Sequence, residues 1–323
     1  MFIRIAAMTL SIGAVALPAS AAEYPDHAIR MIVPFAAGGG TDVLARIIAQ
    51  NLNSKWGQPV VVENQPGASG AIGTRTVMNA PPDGYTLLMA STGALMAVSA
   101  AAGDGPFDVN KYLTPIAIGA APPYLLVASP TLPVTTTADL IRYAREKPEG
   151  LTFGSSGVGA ASHLSGLLFA SATGIKLLHI PYKGTGPAVS DLLGGRIDIM
   201  FAPGPVVQQF VTSGQLKALG VTDTQRSKFY PEVPTVADSV PGYESVGWFG
   251  LLAPPHTPPE IVDKINAAIV AAMQTQEFRD HLATLGAEPT PQTPEEFGRY
   301  INADVAKWGK LVKDNDVQLP GGK

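Results

Sequence analysis

The chain has 323 residues, a formal net charge of −4 and no cysteine. This charge gives no general attraction to nucleic acid or to an acidic membrane surface, so neither is an expected partner. The length exceeds what one compact core usually holds, which predicts two lobes, and a protein of this size can be stable without disulfides.

The N-terminal residues have the three parts of a secretory signal peptide. Arg4 supplies a positive charge, residues 5–17 are apolar, and small residues at positions 19–21 form a cleavage signal. The apolar stretch is too short to cross a membrane, and no other segment approaches the roughly 20 apolar residues that a membrane helix needs. We therefore expect residues 1–21 to be cleaved off near Ala21 and the mature chain to be exported, which indicates a bacterial periplasm.

Strand-like and helix-like segments alternate along the mature chain. Apolar runs bounded by turn residues predict strands, and apolar residues at helical spacing predict helices. Such alternation is typical of an α/β fold with mainly parallel sheets. The predicted strands are residues 29–35, 59–63, 85–91, 122–130, 151–155, 175–182, 196–202, 216–222 and 247–254. The predicted helices run through residues 43–52, to about 79, and over 137–147, 160–173, 187–193, 206–213, about 258–285 and about 293–314.

Two strand-like segments, residues 122–130 and 243–254, flank the middle of the chain on both sides. This arrangement predicts a middle lobe that is inserted into the first and joined to it by two crossings. We assign residues 22–124 and about 246–323 to the first lobe and residues 125–245 to the second, with a last helix that can cross between lobes.

Three consecutive glycines, Gly38, Gly39 and Gly40, stand where the first predicted strand turns into the first predicted helix. The first turn of a helix has N–H groups without partners and a partial positive charge, and glycines allow a ligand to approach closely. This stretch therefore predicts an anion site. Thr41 or Asp42 is a plausible N-cap, although Asp42 can equally direct its carboxylate at loop amides or a bridging water.

Three further loops rich in glycine and serine follow strand-like segments, at residues 91–93, 155–159 and 182–187. Ligands of open α/β sheets bind beyond the carboxyl ends of the strands, where such loops converge. Any one of these loops can be an ordinary turn, since turns also need these residue types. Together the four loops favour a shared site for an anion or a polyol.

Several individual side chains have both a functional and a structural interpretation. His163 can donate to a ligand oxygen or serve a purely structural role, and Lys183 can pair with a carboxylate or be solvated. Asp198 alternates with apolar residues in a predicted strand, so it should need a fixed partner. Trp248 and Phe249 can cover a ligand, although core packing explains them better.

Motifs of enzymes and metal sites are absent or incomplete. The segment from Gly157 to Ser162 lacks the last glycine of a dinucleotide fingerprint, and no acidic residue follows at the spacing that holds a ribose. The sequence has no phosphate-binding Gly-x-x-x-x-Gly-Lys-Ser/Thr and no Gly-x-Ser-x-Gly. Its five histidines are scattered and it has no thiolate, so we expect no metal, no cofactor, no catalytic residue and no enzymatic activity.

An ordered set of motifs covers nearly the whole mature chain. These are PF-x-x-GG-x-x-D, V-x-E-N-x-PGASG-x-IG, PPDGYTLL, YKGTGPA-x-x-DLLGG-x-ID, and VPT followed by PGYE. In this order they resemble the Bug-type receptors, the extracytoplasmic solute receptors of tripartite tricarboxylate transporters. Ala36 and Ala37 depart from the many members that carry a proline before the glycines. The resemblance implies a two-lobed periplasmic binding protein of the Venus flytrap type, in which each lobe is a mainly parallel sheet flanked by helices.

The resemblance also implies a function and a site. It implies a monomeric receptor that captures a small organic carboxylate between residues 35–42 and 155–159, held by backbone amides and water. The receptor would deliver this ligand to the membrane permease subunits of the transporter. The alternatives are a ligand sensor for a membrane kinase and an enzyme acting on a carboxylic acid. The candidate ligand-binding residues are Phe35, Ala36, Gly38, Gly39, Gly40, Thr41, Asp42, Ser91, Thr92, Ser155, Ser156, Gly157, Gly159, His163, Tyr182 and Lys183.

Overall fold

The structure is a computed structural model that describes residues 24–102 and 107–319. The predicted signal peptide lies outside the described residues. The strands are β1 Ile29–Val33, β2 Val60–Asn64, β3 Thr86–Ser91, β4 Thr114–Ala120, β5 Tyr124–Ala128, β6 Leu151–Ser155, β7 Leu177–Pro181, β8 Ile199–Pro203, β9 Lys217–Val221 and β10 Phe249–Ala253. The α-helices are α1 Gly40–Trp56, α2 Ala71–Met78, α3 Thr92–Ala102, α4 Thr137–Arg145, α5 Ala161–Thr173, α6 Thr185–Leu193, α7 Gly204–Thr212, α8 Pro259–Met273, α9 Gln276–Thr284 and α10 Pro294–Asp314.

The described strands form two sheets of five strands each, in the orders β2-β1-β3-β10-β4 and β7-β6-β8-β5-β9. In the first sheet β1 runs parallel to β2 and β3, whereas β10 is antiparallel to both of its neighbours. The second sheet repeats this plan, with β6 parallel to β7 and β8 and with β5 antiparallel to its neighbours. The antiparallel strand of each sheet is therefore the one that enters it from the other sheet.

The two sheets with their flanking helices are the two lobes, which confirms the predicted α/β fold of the Venus flytrap type. The first lobe contains β1–β4 and β10, and the second contains β5–β9. The residue limits assigned to the lobes stay a prediction. Helices cover both faces of each sheet, so that Met31 of β1 packs into one core and its neighbour Ile32 into another. Burial on both faces explains why these strands appear in the sequence as continuous apolar runs.

The predicted starts and ends of two helices were wrong. Helix α1 begins at Gly40 with Gly39 as its N-cap, so neither Thr41 nor Asp42 has that role. The predicted helix over residues 258–285 is interrupted between α8 and α9, where the Thr275 hydroxyl accepts the N–H of Phe278 and caps a new helix. Threonine hydroxyls compete with the helical backbone in this way and end a helix without glycine or proline.

Candidate functional site

The segments that the sequence singled out converge between the lobes. Residues 91–93 do not form the predicted loop, because Ser91 ends β3 and Thr92 begins α3. Parallel strands β1–β3 of the first lobe and β6–β8 of the second end in turns that lead directly into helices, which is where ligands of α/β sheets bind. Across this gap the Ser69 hydroxyl donates to the carbonyl oxygen of Val158 at 2.6 Å. A Cβ on Gly93 would lie only 3.1 Å from Cα of Ala160. We call this region the interlobe cleft, lined by residues 34–40, 66–71 and 91–93 of the first lobe and 155–160 and 182–185 of the second.

Asp42 shapes the glycine turn of the first lobe. Its buried carboxylate accepts the N–H of Gly38 at 3.0 Å, Nη2 of Arg46 at 2.9 Å and Nδ2 of Asn64 at 3.0 Å. Burial alone would raise the pKa of Asp42, but the hydrogen bonds from these three donors outweigh it and lower that pKa below its usual value. The carboxylate is therefore directed at a loop amide, as one of the two interpretations held, and it neutralises the guanidinium of Arg46.

The helices that follow the cleft loops begin without side-chain caps. Helix α1 has Gly39 as N-cap, α5 has Ala160 and α6 has Gly184, and none of these makes a side-chain capping hydrogen bond. Helices α4, α9 and α10 each have a threonine cap, whereas α7 and α8 follow a proline N-cap and also lack a side-chain cap. Uncapped first-turn amides remain available to a ligand, and the helix dipole makes an anion the favoured one.

The loop after β6 is held in shape by its own serines. The Ser155 side chain is buried, and its hydroxyl bonds Nε2 of His179 at 2.6 Å and donates to the carbonyl of Gly157 at 3.1 Å. The N–H of Ser156 donates to the Ser162 hydroxyl at 3.0 Å. The hydroxyl of Ser155 is therefore committed to the loop, and the loop offers a ligand a preformed backbone.

His163 is a neutral, buried ring beneath that loop. Its Nδ1 accepts the N–H of Gly159 at 3.0 Å, so the neutral ring carries its proton on Nε2. The ring stacks on His179 with 3.9 Å between centroids, and His179 in turn stacks on Phe153. Burial and the neighbouring His179 lower the pKa of His163 to about 3, and burial lowers that of His179 to about 4. Neither ring therefore brings a positive charge to the cleft, and donation from His163 to a ligand oxygen stays a prediction.

Two predicted hydroxyls have partners away from the cleft. Thr92 is buried and donates to Asp304 Oδ2 at 3.0 Å, and Tyr182 donates to Asp191 Oδ2 at 2.8 Å. Burial, followed by the hydrogen bond to Asp191, raises the pKa of Tyr182 to about 12, so the phenol stays neutral. The proton of each hydroxyl is therefore used. Tyr182 and Ser91, which ends β3, are both half-buried.

The remaining predicted residues differ in exposure. Ala36, Gly38 and Lys183 are exposed, whereas Thr41 and Gly159 are buried. The half-buried residues are Phe35, Gly39, Gly40, Ser156 and Gly157. Pairing of Lys183 with a ligand carboxylate stays a prediction.

Two features of the site were not predicted. Asp304 of α10 accepts hydrogen bonds from the indole N–H groups of Trp248 and Trp308, each at 2.7 Å, besides that of Thr92. Burial raises the pKa of Asp304 against these donors. An acidic residue in an amphipathic helix is expected to face solvent, so no sequence signal identified Asp304 as buried. Ser69 was visible only as part of PGASG, and its interlobe contact depends on the fold.

Asp198, Trp248 and Phe249 have structural roles. Asp198 Oδ2 accepts both the N–H and the hydroxyl of Thr152 at 2.8 Å, the fixed partner that a strand acid needs. Trp248 is fully buried, and the ring of Phe249 lies under Gly40, where a Cβ would come within 3.1 Å of it. Core packing therefore accounts for both aromatic rings.

Fold and site together define a class of protein: a two-lobed α/β solute-binding protein whose glycine-rich loops meet at the interlobe cleft. The chain belongs to the family described as tripartite tricarboxylate transporter family receptor, whose profile matches residues 44–317. It is thus a solute-binding receptor of this family.

Relatives and solved structures agree with this assignment. BugT of Bordetella pertussis is 37% identical over 307 residues, which cover 94% of each chain. The structure of the periplasmic binding protein BugD is 36% identical with a TM-score of 0.82, over 91% of this chain and 99% of that one. An R. palustris protein solved with adipate is 35% identical with a TM-score of 0.82, over the same shares.

Membrane spans and metal clusters were also sought. Among the described residues, no helix is long and apolar enough to cross a membrane. The same part of the chain has no group of three or more His, Cys, Asp or Glu side chains placed to hold a metal ion.

Proposed function

We propose that this receptor captures a small organic carboxylate in the interlobe cleft and delivers it to a tripartite tricarboxylate-type membrane transporter. The observation that carries the proposal is the pair of uncapped helix N-termini, α1 at Gly40 and α5 at Ala161, behind glycine-rich loops of the two lobes. A ligand carboxylate between them would accept hydrogen bonds from first-turn amides on both sides.

The charges around the cleft support recognition by neutral donors. The guanidinium of Arg46 is paired with Asp42, and His163 and His179 are neutral. Lys183 is exposed. A bidentate arginine would hold a carboxylate more strongly, whereas a transport receptor must also release its ligand, for which neutral amides are better suited.

The relatives support the choice of ligand class. One of the similar structures holds adipate, a dicarboxylate, and the family is named for tricarboxylate transport. Backbone amides recognise the charge and shape of a carboxylate and not one particular acid. We therefore expect affinity for small mono-, di- or tricarboxylates. The periplasm is the proposed location and the permease subunits are the proposed partners, both on the strength of the family.

A ligand screen tests the proposal. Thermal unfolding of the mature protein would be followed with a panel of organic acids that includes adipate and malate, and with neutral sugars as controls. We expect at least one acid to raise the melting temperature as its concentration rises, and calorimetry to give the same affinity with and without a chelator that carries no carboxylate. Binding of a sugar but no acid, or binding that the chelator abolishes, would contradict the proposal.

A further inference from the structure

One hydrogen bond joins the two lobes directly across the cleft. The Ser69 hydroxyl of the first lobe donates to the carbonyl oxygen of Val158, in the loop after β6 of the second lobe, at 2.6 Å. We propose that Ser69 is a positioning residue that couples closure of the lobes to the shape of the second-lobe ligand loop. The inference rests on the proposed function only in taking residues 155–159 as that ligand loop.

The peptide unit that Ser69 contacts is held at both ends. Its carbonyl belongs to Val158, and its N–H, which belongs to Gly159, donates to Nδ1 of His163 at 3.0 Å. Hydrogen bonds at the two ends of one amide polarise each other, so each strengthens the other. His163 is fixed by its stack on His179, so closure locks this peptide in one orientation and with it the backbone offered to the ligand.

The first lobe is built to present the Ser69 hydroxyl. Ala68 has φ 47° and Ser69 has φ 53°, in the left-handed region that non-glycine residues seldom adopt. The loop is fixed at its end, because a Cβ on Gly70 would meet Ala94 at 3.0 Å and the ring of Phe35 at 3.2 Å. This left-handed backbone directs the Ser69 side chain toward the second lobe. The contact of Gly70 with Phe35 connects the loop to the glycine turn before α1.

A second polar contact between the lobes provides a control. Lys228 of the second lobe pairs with Glu288, which follows α9 of the first lobe, and both side chains are more than half exposed. Exposed ion pairs contribute little because solvent screens them. Removing the Lys228 side chain should therefore leave the closed fraction unchanged, whereas removing the half-buried Ser69 hydroxyl should lower it.

Distance measurements between spin labels test the inference. The chain has no cysteine, so Arg75→Cys on α2 and Ser190→Cys on α6 place one label on each lobe, both exposed. Double electron–electron resonance on the mature protein, alone and with saturating adipate or malate, reports the ratio of closed to open molecules. Ser69→Ala should lower that ratio about fivefold, the effect of one hydrogen bond, and Lys228→Ala should not change it.

Two further readouts separate the hydroxyl from the backbone. Ser69→Gly also lacks the hydroxyl but tolerates the left-handed conformation, so it should lower the closed fraction as Ser69→Ala does. Hydrogen exchange at the Gly159 amide should become faster in both variants, while melting temperatures stay close to that of the parent. A normal closed fraction in Ser69→Gly would show that the hydroxyl is not the cause and would overturn the inference.

The remaining outcomes are also decisive. An unchanged closed fraction in Ser69→Ala, or a parent protein with no closed population under any of these conditions, overturns the inference. Failure of adipate, malate and the other acids of the screen to bind contradicts the proposed function, while the closed fraction of the ligand-free protein still tests Ser69. Normal acid binding with unchanged closure refutes the role of Ser69 alone.

Discussion

Replacing Gly39 with valine should weaken binding of the carboxylate while leaving the fold intact. Gly39 is the N-cap of α1 with φ −80° and ψ 165°, extended values that valine adopts readily. A Cβ there meets nothing nearer than the carbonyl of Ala36 at 3.8 Å, an ordinary contact. Valine is a poorer N-cap than glycine by up to about 1 kcal/mol. The lost flexibility of the unfolded chain offsets about 0.4–1 kcal/mol of this, so the free energy of unfolding should change by less than about 1 kcal/mol.

The effect on binding should be larger. A branched side chain before the first turn of α1 would keep a ligand carboxylate from at least one amide, and a hydrogen bond to a charged group contributes about 1.5–3 kcal/mol. The dissociation constant of the tightest acid in the screen should therefore rise about 10- to 150-fold. Calorimetry gives that constant and urea unfolding gives the stability. Gly38→Val is the matched control, since φ +84° at Gly38 should make this variant lose stability instead. A folded Gly39→Val protein with unchanged affinity would refute the reasoning.

Three other predictions come from the structure and a fourth from the sequence. Asp42→Asn should lower the free energy of unfolding by about 1–2 kcal/mol at pH 7. Because the pKa of Asp42 is lowered in the folded state, the stability that its carboxylate contributes is present above about pH 4 and is lost as the pH falls below that value. Urea unfolding should therefore give the same stability for parent and variant in acid. The pKa of His163 is about 3 and that of His179 about 4, so neither ring changes charge between about pH 5.5 and 7.5. The affinity for an organic acid, measured by calorimetry, should therefore show no pH-dependent step from these rings in that range. A step that His163→Gln removes would contradict this prediction. A saturating acid should reduce the radius of gyration measured by small-angle scattering, because a ligand held by both lobes favours the closed state, and an unchanged radius with confirmed tight binding would argue against the two-lobe clamp. N-terminal sequencing of periplasmic material should begin near Ala22 or Glu23, and a start at Met1 would exclude cleavage.

The sequence predicted most of the fold because inner strands such as β3, β5, β8 and β10 are buried on both faces. Strand β4 was missed, since Pro115 and Gly119 within it resemble turn residues, and proline is tolerated only because β4 lies at the edge of its sheet. Helix α3 was also missed. Its sequence is apolar almost all round, without the polar face that marks an amphipathic helix.

The candidate site could be predicted in its loops but not in its side chains. Glycine and serine loops after strands were visible in the sequence, and the structure brings those of both lobes together. The partners of Thr92 and Tyr182 lie 212 and 9 positions away, so no local pattern gives them. Arg46 lies one helical turn after Asp42, a spacing at which charge pairs form, and this pair could have been predicted. The conformation of Ser69 is equally hidden, because the adjacent Gly70 packs against Phe35 and Ala94, which are distant in the sequence.

A crystal structure of the mature protein with the tightest acid of the screen tests the central claim most directly. We predict that one carboxylate lies in the interlobe cleft with its oxygens within hydrogen-bond distance of first-turn amides of both α1 and α5. A carboxylate paired instead with a lysine or arginine side chain, or an acid bound outside the cleft, would contradict the account.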